Sequence, residues 1–149
     1  MQNLRQIISL AIGAVFSIAL SWSASASEVL ITEQEAKLPP AKGTKFDSRG
    51  ITRGPRIALL TELGVHSPIH LQLKFQAFGG AKIDLDTLHV TLLKTPEVDL
   101  TPRVKPFAQV DGIDMPEAES PAGEYDLRVE LRDTDGRPVA KIFSLKVAP

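Results

Sequence analysis

Residues 120–147 read SPAGEYDLRVELRDTDGRPVAKIFSLKV, and the rest of the chain can be arranged around them. From Tyr125 the residues alternate strictly. Tyr125, Leu127, Val129 and Leu131 share one parity, and Asp126, Arg128, Glu130 and Arg132 share the other. Successive side chains of a strand point to opposite faces, so this spacing predicts a strand with one apolar and one charged face. Asp133-Thr134-Asp135-Gly136 follows, and Asp-Gly accepts the positive φ of a tight hairpin turn. The return strand carries Val139, Phe143, Leu145 and Val147. Lys141 falls on its apolar parity and Ile142 on the other, so a bulge near residue 141 is expected to restore the phase.

Upstream, Ile69, Leu71, Leu73, Phe75 and Ala77 alternate with His70, Gln72, Lys74 and Gln76, the clearest strand outside the hairpin. A second is predicted over 87–94, with Leu88, Val90 and Leu92 inward and His89 and Thr91 outward. The apolar run 57–61 suits the first core strand. Pro96, Pro102, Pro106 and Pro116 thin the pattern between 95 and 116, where short strands are expected near 98–100, 103–107 and 113–119. About seven short strands separated by turn signals predict an all-β chain folded as a single Greek-key β-sandwich. The one helical signal is Thr32-Glu33-Gln34-Glu35, a capping box ahead of a short helix that Pro39-Pro40 stops. A helix this short is marginal by itself, so residues 27–55 read as an N-terminal arm, either docked or loose.

Pro121-x-Gly123-x-Tyr125-x-Leu127-x-Val129, the Asp133-x-x-Gly136 turn and a strand ending at Val147 together resemble the end of an immunoglobulin-like sandwich. The pattern is similar to the last two strands of bacterial Ig-like, PKD-like and cadherin-like domains, over residues 121–147. The resemblance implies an Ig-like domain spanning residues 56–149. It also implies a tyrosine corner at Tyr125, with the hydroxyl returning to nearby backbone. That architecture hosts many unrelated functions.

Residues 1–26 read as a secretory signal peptide: Arg5 is their only charge, residues 7–20 are apolar, and Ala24-Ser25-Ala26 places cleavage after Ala26. The apolar run is shorter than the roughly 20 residues that span a bilayer, so no stable membrane span is expected after cleavage. The protein is then exported, periplasmic or secreted. There are no cysteines, which excludes disulfides and a lipid-modified Cys. With 17 basic and 18 acidic residues, the chain lacks the basic footprint that nucleic acid requires.

No Gly-x-Ser-x-Gly elbow is present, and Gly79-Gly80 lacks the Lys-Ser/Thr of a phosphate loop. The expectation is therefore a non-enzymatic protein with no cofactor, a small enzyme with an unrecognised site being the weaker alternative. His66, His70 and His89 are the only histidines, and Pro68 breaks the helical spacing of the first two. If their strands are the second and third of the sandwich, His70 and His89 sit on opposite sheets and face away from each other. Asp84-x-Asp86 and Asp133-x-Asp135 suit either turn chemistry or calcium, which keeps an envelope metal-binding protein (calcium or copper) as an alternative. Residues 46–56, FDSRGITRGPR, place Arg49, Arg53 and Arg56 in a loop before the first strand. With Arg103 they form a candidate ligand or partner surface, since guanidinium recognises carboxylate and phosphate bidentately. The bland reading of the same residues is solvated charge. The expected function is a binding or accessory module of the cell envelope, its partner another envelope or extracellular protein or a glycan.

Overall fold

The computed structural model describes residues 27–43 and 54–149. The leader-like residues 1–26, and the loop residues Arg49 and Arg53, lie outside the described residues.

Strands β9 (Gly123–Asp133) and β10 (Pro138–Ala148) form the expected hairpin, in register from Gly123 opposite Val147 to Arg132 opposite Pro138. Tyr125, Leu127, Val129 and Leu131 are all buried on its inner face. The turn is held by Asp133, whose Oδ1 accepts the N–H of Asp135 at 3.1 Å and of Arg137 at 2.9 Å, while Oδ2 accepts Arg137 Nε at 2.7 Å. The bulge expected near residue 141 is absent, since Lys141 lies directly opposite Val129. Lys141 is tolerated on the apolar parity because the residue stays exposed and its Nζ donates to Ile57 O at 3.2 Å. The ammonium also lies 5.1 Å from the Phe143 ring centroid. A long side chain thus absorbs the phase error that a register shift would otherwise correct.

Around the hairpin stand β3 (Val65–His66), β5 (Ile83–Leu92) and β6 (Val98–Asp99), giving one sheet in the order β3-β10-β9-β5-β6. The other sheet runs β1 (Glu28–Val29), β8 (Gly112–Glu119), β4 (Ile69–Gln76), β2 (Arg56–Leu59), with β7 (Ala108–Gln109) also paired to β8. Between β2 and β3 the chain leaves one sheet and joins the other, where β3 pairs parallel to the end of β10. The inner faces share one core, with Leu71, Phe75 and Met115 from one sheet and Val90, Leu127 and Leu145 from the other. The fold is therefore all-β, with two five-stranded sheets among the described residues.

Two strands carry bulges. In β5 the pairing steps from Asp84 opposite Arg132 to His89 opposite Glu130, so β5 holds three more residues than β9 over that interval. In β8, Ala118 opposes Ile69 and Met115 opposes Leu71, leaving one extra residue beside Pro116, which suits a position that cannot donate to a ladder.

The strand expected near 103–107 is replaced by helix α2 (Thr101–Val104) and a 3-10 turn at Lys105–Phe107. Pro102 and Pro106 each fall in the opening positions of these turns, where a missing N–H leaves no bond unmade. Asp99 Oδ1 accepts the Thr101 N–H at 2.9 Å, and Leu100 and Val104 fill the core beneath.

Residues 27–43, the described stretch of the N-terminal arm, are docked. Thr32 caps helix α1 (Glu33–Ala36) with the full reciprocal capping box expected from the sequence. Residues 27–43 form a strap from one sheet to the other. β1 pairs parallel to the end of β8, Leu30 and Ile31 enter the core, Thr95 N–H donates to Pro39 O at 2.8 Å, and Ala41 N–H donates to Leu93 O at 3.2 Å.

Candidate functional site

Of the four arginines expected to form a surface, the described residues contain Arg56 and Arg103, and these are not brought together. Arg56 is exposed on β2, the margin of its sheet remote from β8, with its guanidinium 5.2 Å from the Phe78 ring centroid. Arg103, on α2, faces the strap that lies beyond β8. Its Nη1 donates to Leu30 O and to Glu35 Oε2, and its Nη2 donates to Glu35 Oε1, each at 2.8 Å. This is a bidentate pair with 28 % and 18 % side-chain exposure. Arg103 therefore leaves the candidate ligand surface: its donors are committed to fastening the strap onto α2. Hydrogen bonding from Arg103, aided by Thr32 and opposed by partial burial, holds the Glu35 carboxyl at about 2 instead of 4.5. Sequence reading found the capping-box Glu35 but not its partner, because a contact across 68 residues leaves no local signal.

The histidines are dispersed. His66 lies on β3, His70 on β4 hydrogen-bonded to Asp114 of β8, and His89 on β5. His70 and His89 sit on different sheets with exposed side chains, as the strand assignment required. The acidic pairs are occupied by turn chemistry. Burial pushes the Asp133 carboxyl up, but the Arg137 amide and guanidinium and the Asp135 amide outweigh it and keep it below the usual carboxylate range. Asp84 Oδ1 accepts the Asp86 N–H at 3.1 Å inside the β5 bulge. Among the described residues no three His, Asp or Glu side chains converge on a point that would hold a metal ion.

Several open grooves lie on the described surface, five of them with volumes between 280 and 460 Å³. The groove with the clearest structural origin, about 350 Å³, lies where the β5 bulge meets β9 and β10, lined by Thr87, His89, Glu130, Arg132, Pro138 and Ala140. The bulge makes it. Thr87 Oγ1 donates to Asp84 O at 2.7 Å and accepts the Arg132 N–H at 2.8 Å, so a side chain takes a place in the ladder that backbone would otherwise fill. His89 and Glu130 are directly opposed across the strands, and Glu130 also approaches Arg128 Nε at 3.4 Å, within a network that includes Glu97. Arg132 is exposed and forms no ion pair among the described residues. Such a groove offers a cation, an imidazole, a carboxylate and a short apolar wall on one rigid surface, an arrangement for contact through hydrogen bonds and charge. Sequence reading missed it, although a signal exists: Ile83 and Leu85 share one parity while Leu88, Val90 and Leu92 share the other.

No family model, curated protein or solved structure matches this chain.

Proposed function

We propose that the chain is an exported, non-enzymatic immunoglobulin-like module that binds another protein of the cell envelope through the outer face of the β3-β10-β9-β5-β6 sheet. The observation that carries this reading is the β5 bulge groove, where polar groups of both charges surround an apolar wall on a rigid strand platform. Bulges re-aim side chains at sites of this kind, and contact residues held on strands keep their geometry better than residues on loops.

The Ig-like, Greek-key part of the proposal rests on three features. The chain changes sheets between β2 and β3, β3 lies parallel to the last strand, and the longer strands of both stacked layers pair antiparallel. Tyr125 adds support: its hydroxyl donates to Pro121 O at 2.8 Å, at the corner before β9. Gly123, at φ 151°, leaves room for that hydroxyl, which a Cβ would approach to 3.1 Å. Export rests on the charge-poor apolar leader and the small residues Ala24 and Ala26. No membrane-spanning helix occurs among the described residues.

The test is co-purification from cells after crosslinking, with the native protein compared to a His89→Ala/Arg132→Glu double variant. Loss of a discrete partner at unchanged Tm supports the reading, with a protein band and a glycan smear distinguishing the two partner classes. Full retention of every co-purifying species by the variant overturns the assignment of this face. Recovery of the protein only from the cytoplasm overturns export.

A further inference from the structure

The strap is fastened at its first residues by Glu119. The Glu119 side chain accepts the hydroxyl of Ser27, and its backbone carbonyl accepts the N–H groups of Leu30 at 2.9 Å and Ile31 at 3.2 Å. Leu30 and Ile31 are at most 1 % exposed, so these bonds guard the point where the strap enters the core. Midway along, the strap is held by the Arg103–Glu35 pair and by Lys94 Nζ, which donates to Ala36 O at 3.2 Å.

Resting on the export reading, in which the leader is removed after Ala26, we infer that cleavage tightens this strap by creating a new ion pair. Hydrolysis of the Ala26–Ser27 amide consumes one water. The departing Ala26 takes a carboxylate and Ser27 keeps an α-ammonium. Before the cut, Ser27 presents a neutral amide N–H. Afterwards the same nitrogen carries a positive charge on a residue whose hydroxyl already touches the Glu119 carboxylate. A charge-assisted donor then joins the neutral one.

The surrounding charges favour this partner. Glu28, the next residue, contributes to keeping the Arg103 guanidinium protonated, and Arg103 itself is bonded to Glu35 and Leu30 O. Glu119 is thus the carboxylate already bonded to the side chain of the residue that becomes the new terminus. The leader-bearing chain has a strap that opens more readily, and the cleaved chain a strap that is locked.

The pair is exposed, so its effect is local and of modest size, about two- to fivefold in the strap's opening equilibrium. Hydrogen exchange reads this at the Leu30 and Ile31 amides, with Val129 in β9 as the internal reference. The exported protein is purified from cells, its first residue is fixed by intact mass, and its α-amino group is acetylated. Acetylation is expected to lower protection about two- to fivefold at Leu30 and Ile31 and leave Val129 unchanged, and the effect is expected to vanish in Glu119→Gln. Unchanged protection after acetylation, or an equal loss in Glu119→Gln, overturns the inference while leaving export intact. A mature chain that does not start at Ser27 overturns both the cleavage site and the lock.

Discussion

Replacing Arg103 by Met removes the guanidinium and keeps most of the apolar stem, so it isolates the bond between strap and sandwich. Three hydrogen bonds at 2.8 Å are lost, and Glu35 and Leu30 O are left without that partner. A Glu35 carboxyl held at about 2 instead of 4.5 corresponds to about 3 kcal/mol of stability at neutral pH, an upper figure because both groups keep some solvent contact. Arg103 is the largest contributor to that shift, ahead of the Thr32 contacts, so Arg103→Met is expected to cost about 2 kcal/mol, or about 6–10 °C in Tm. The pH dependence is a second readout. The folded-state pKa of Glu35 is depressed, so its contribution is fully present above about 4.5 and is lost as pH falls towards 2. Urea unfolding at pH 7, 4 and 2.5 is therefore expected to show a wild-type advantage over Arg103→Met that shrinks with acid. A variant within about 0.5 kcal/mol of wild type at pH 7, with a parallel acid profile, would refute the fastening of the strap by Arg103.

Other expectations follow from single contacts. Gly112→Ala would place a Cβ 2.0 Å from Leu73 O in the β4–β8 ladder. It is expected to destabilise by about 3 kcal/mol or to prevent folding, measured by circular dichroism on purified protein. Tyr125→Phe removes the hydroxyl bond to Pro121 O and is expected to cost about 1 kcal/mol in urea unfolding with an unchanged m-value. Lys141→Val removes the ammonium that occupies Ile57 O between two sheet margins. It is expected to leave the monomer folded but to promote self-association, seen as a shift in sedimentation velocity at high concentration.

Much of the scaffold can be read in the sequence wherever one face is wet. Strict alternation in β4 and β9 and the Asp-Gly turn define those elements because the period-2 pattern is itself the burial pattern. The capping box likewise announces α1. Reading fails where tertiary structure overrides a local rule. Pro102 and Pro106 suggest a broken edge strand, yet the same residues open helical turns over the core. Lys141 signals a bulge, yet a carbonyl of the facing sheet is close enough to satisfy it in place. Arg103 looks like a surface cation until the strap brings Glu35 to it. The β5 bulge, and with it the candidate groove, is written only as a change of parity between Leu85 and Leu88, which single-strand counting passes over.

Site-specific photo-crosslinking inside exporting cells tests the proposed binding face most directly. A photoreactive residue is placed at His89 or Ala140 in the groove, and at Lys74 or Gln76 on the outer face of the opposite sheet. The expected result is one discrete higher-mass adduct from both groove positions and none from the opposite sheet. Adducts confined to the opposite sheet, or none from either groove position in cells where the folded protein accumulates, would contradict the assignment of function to this face.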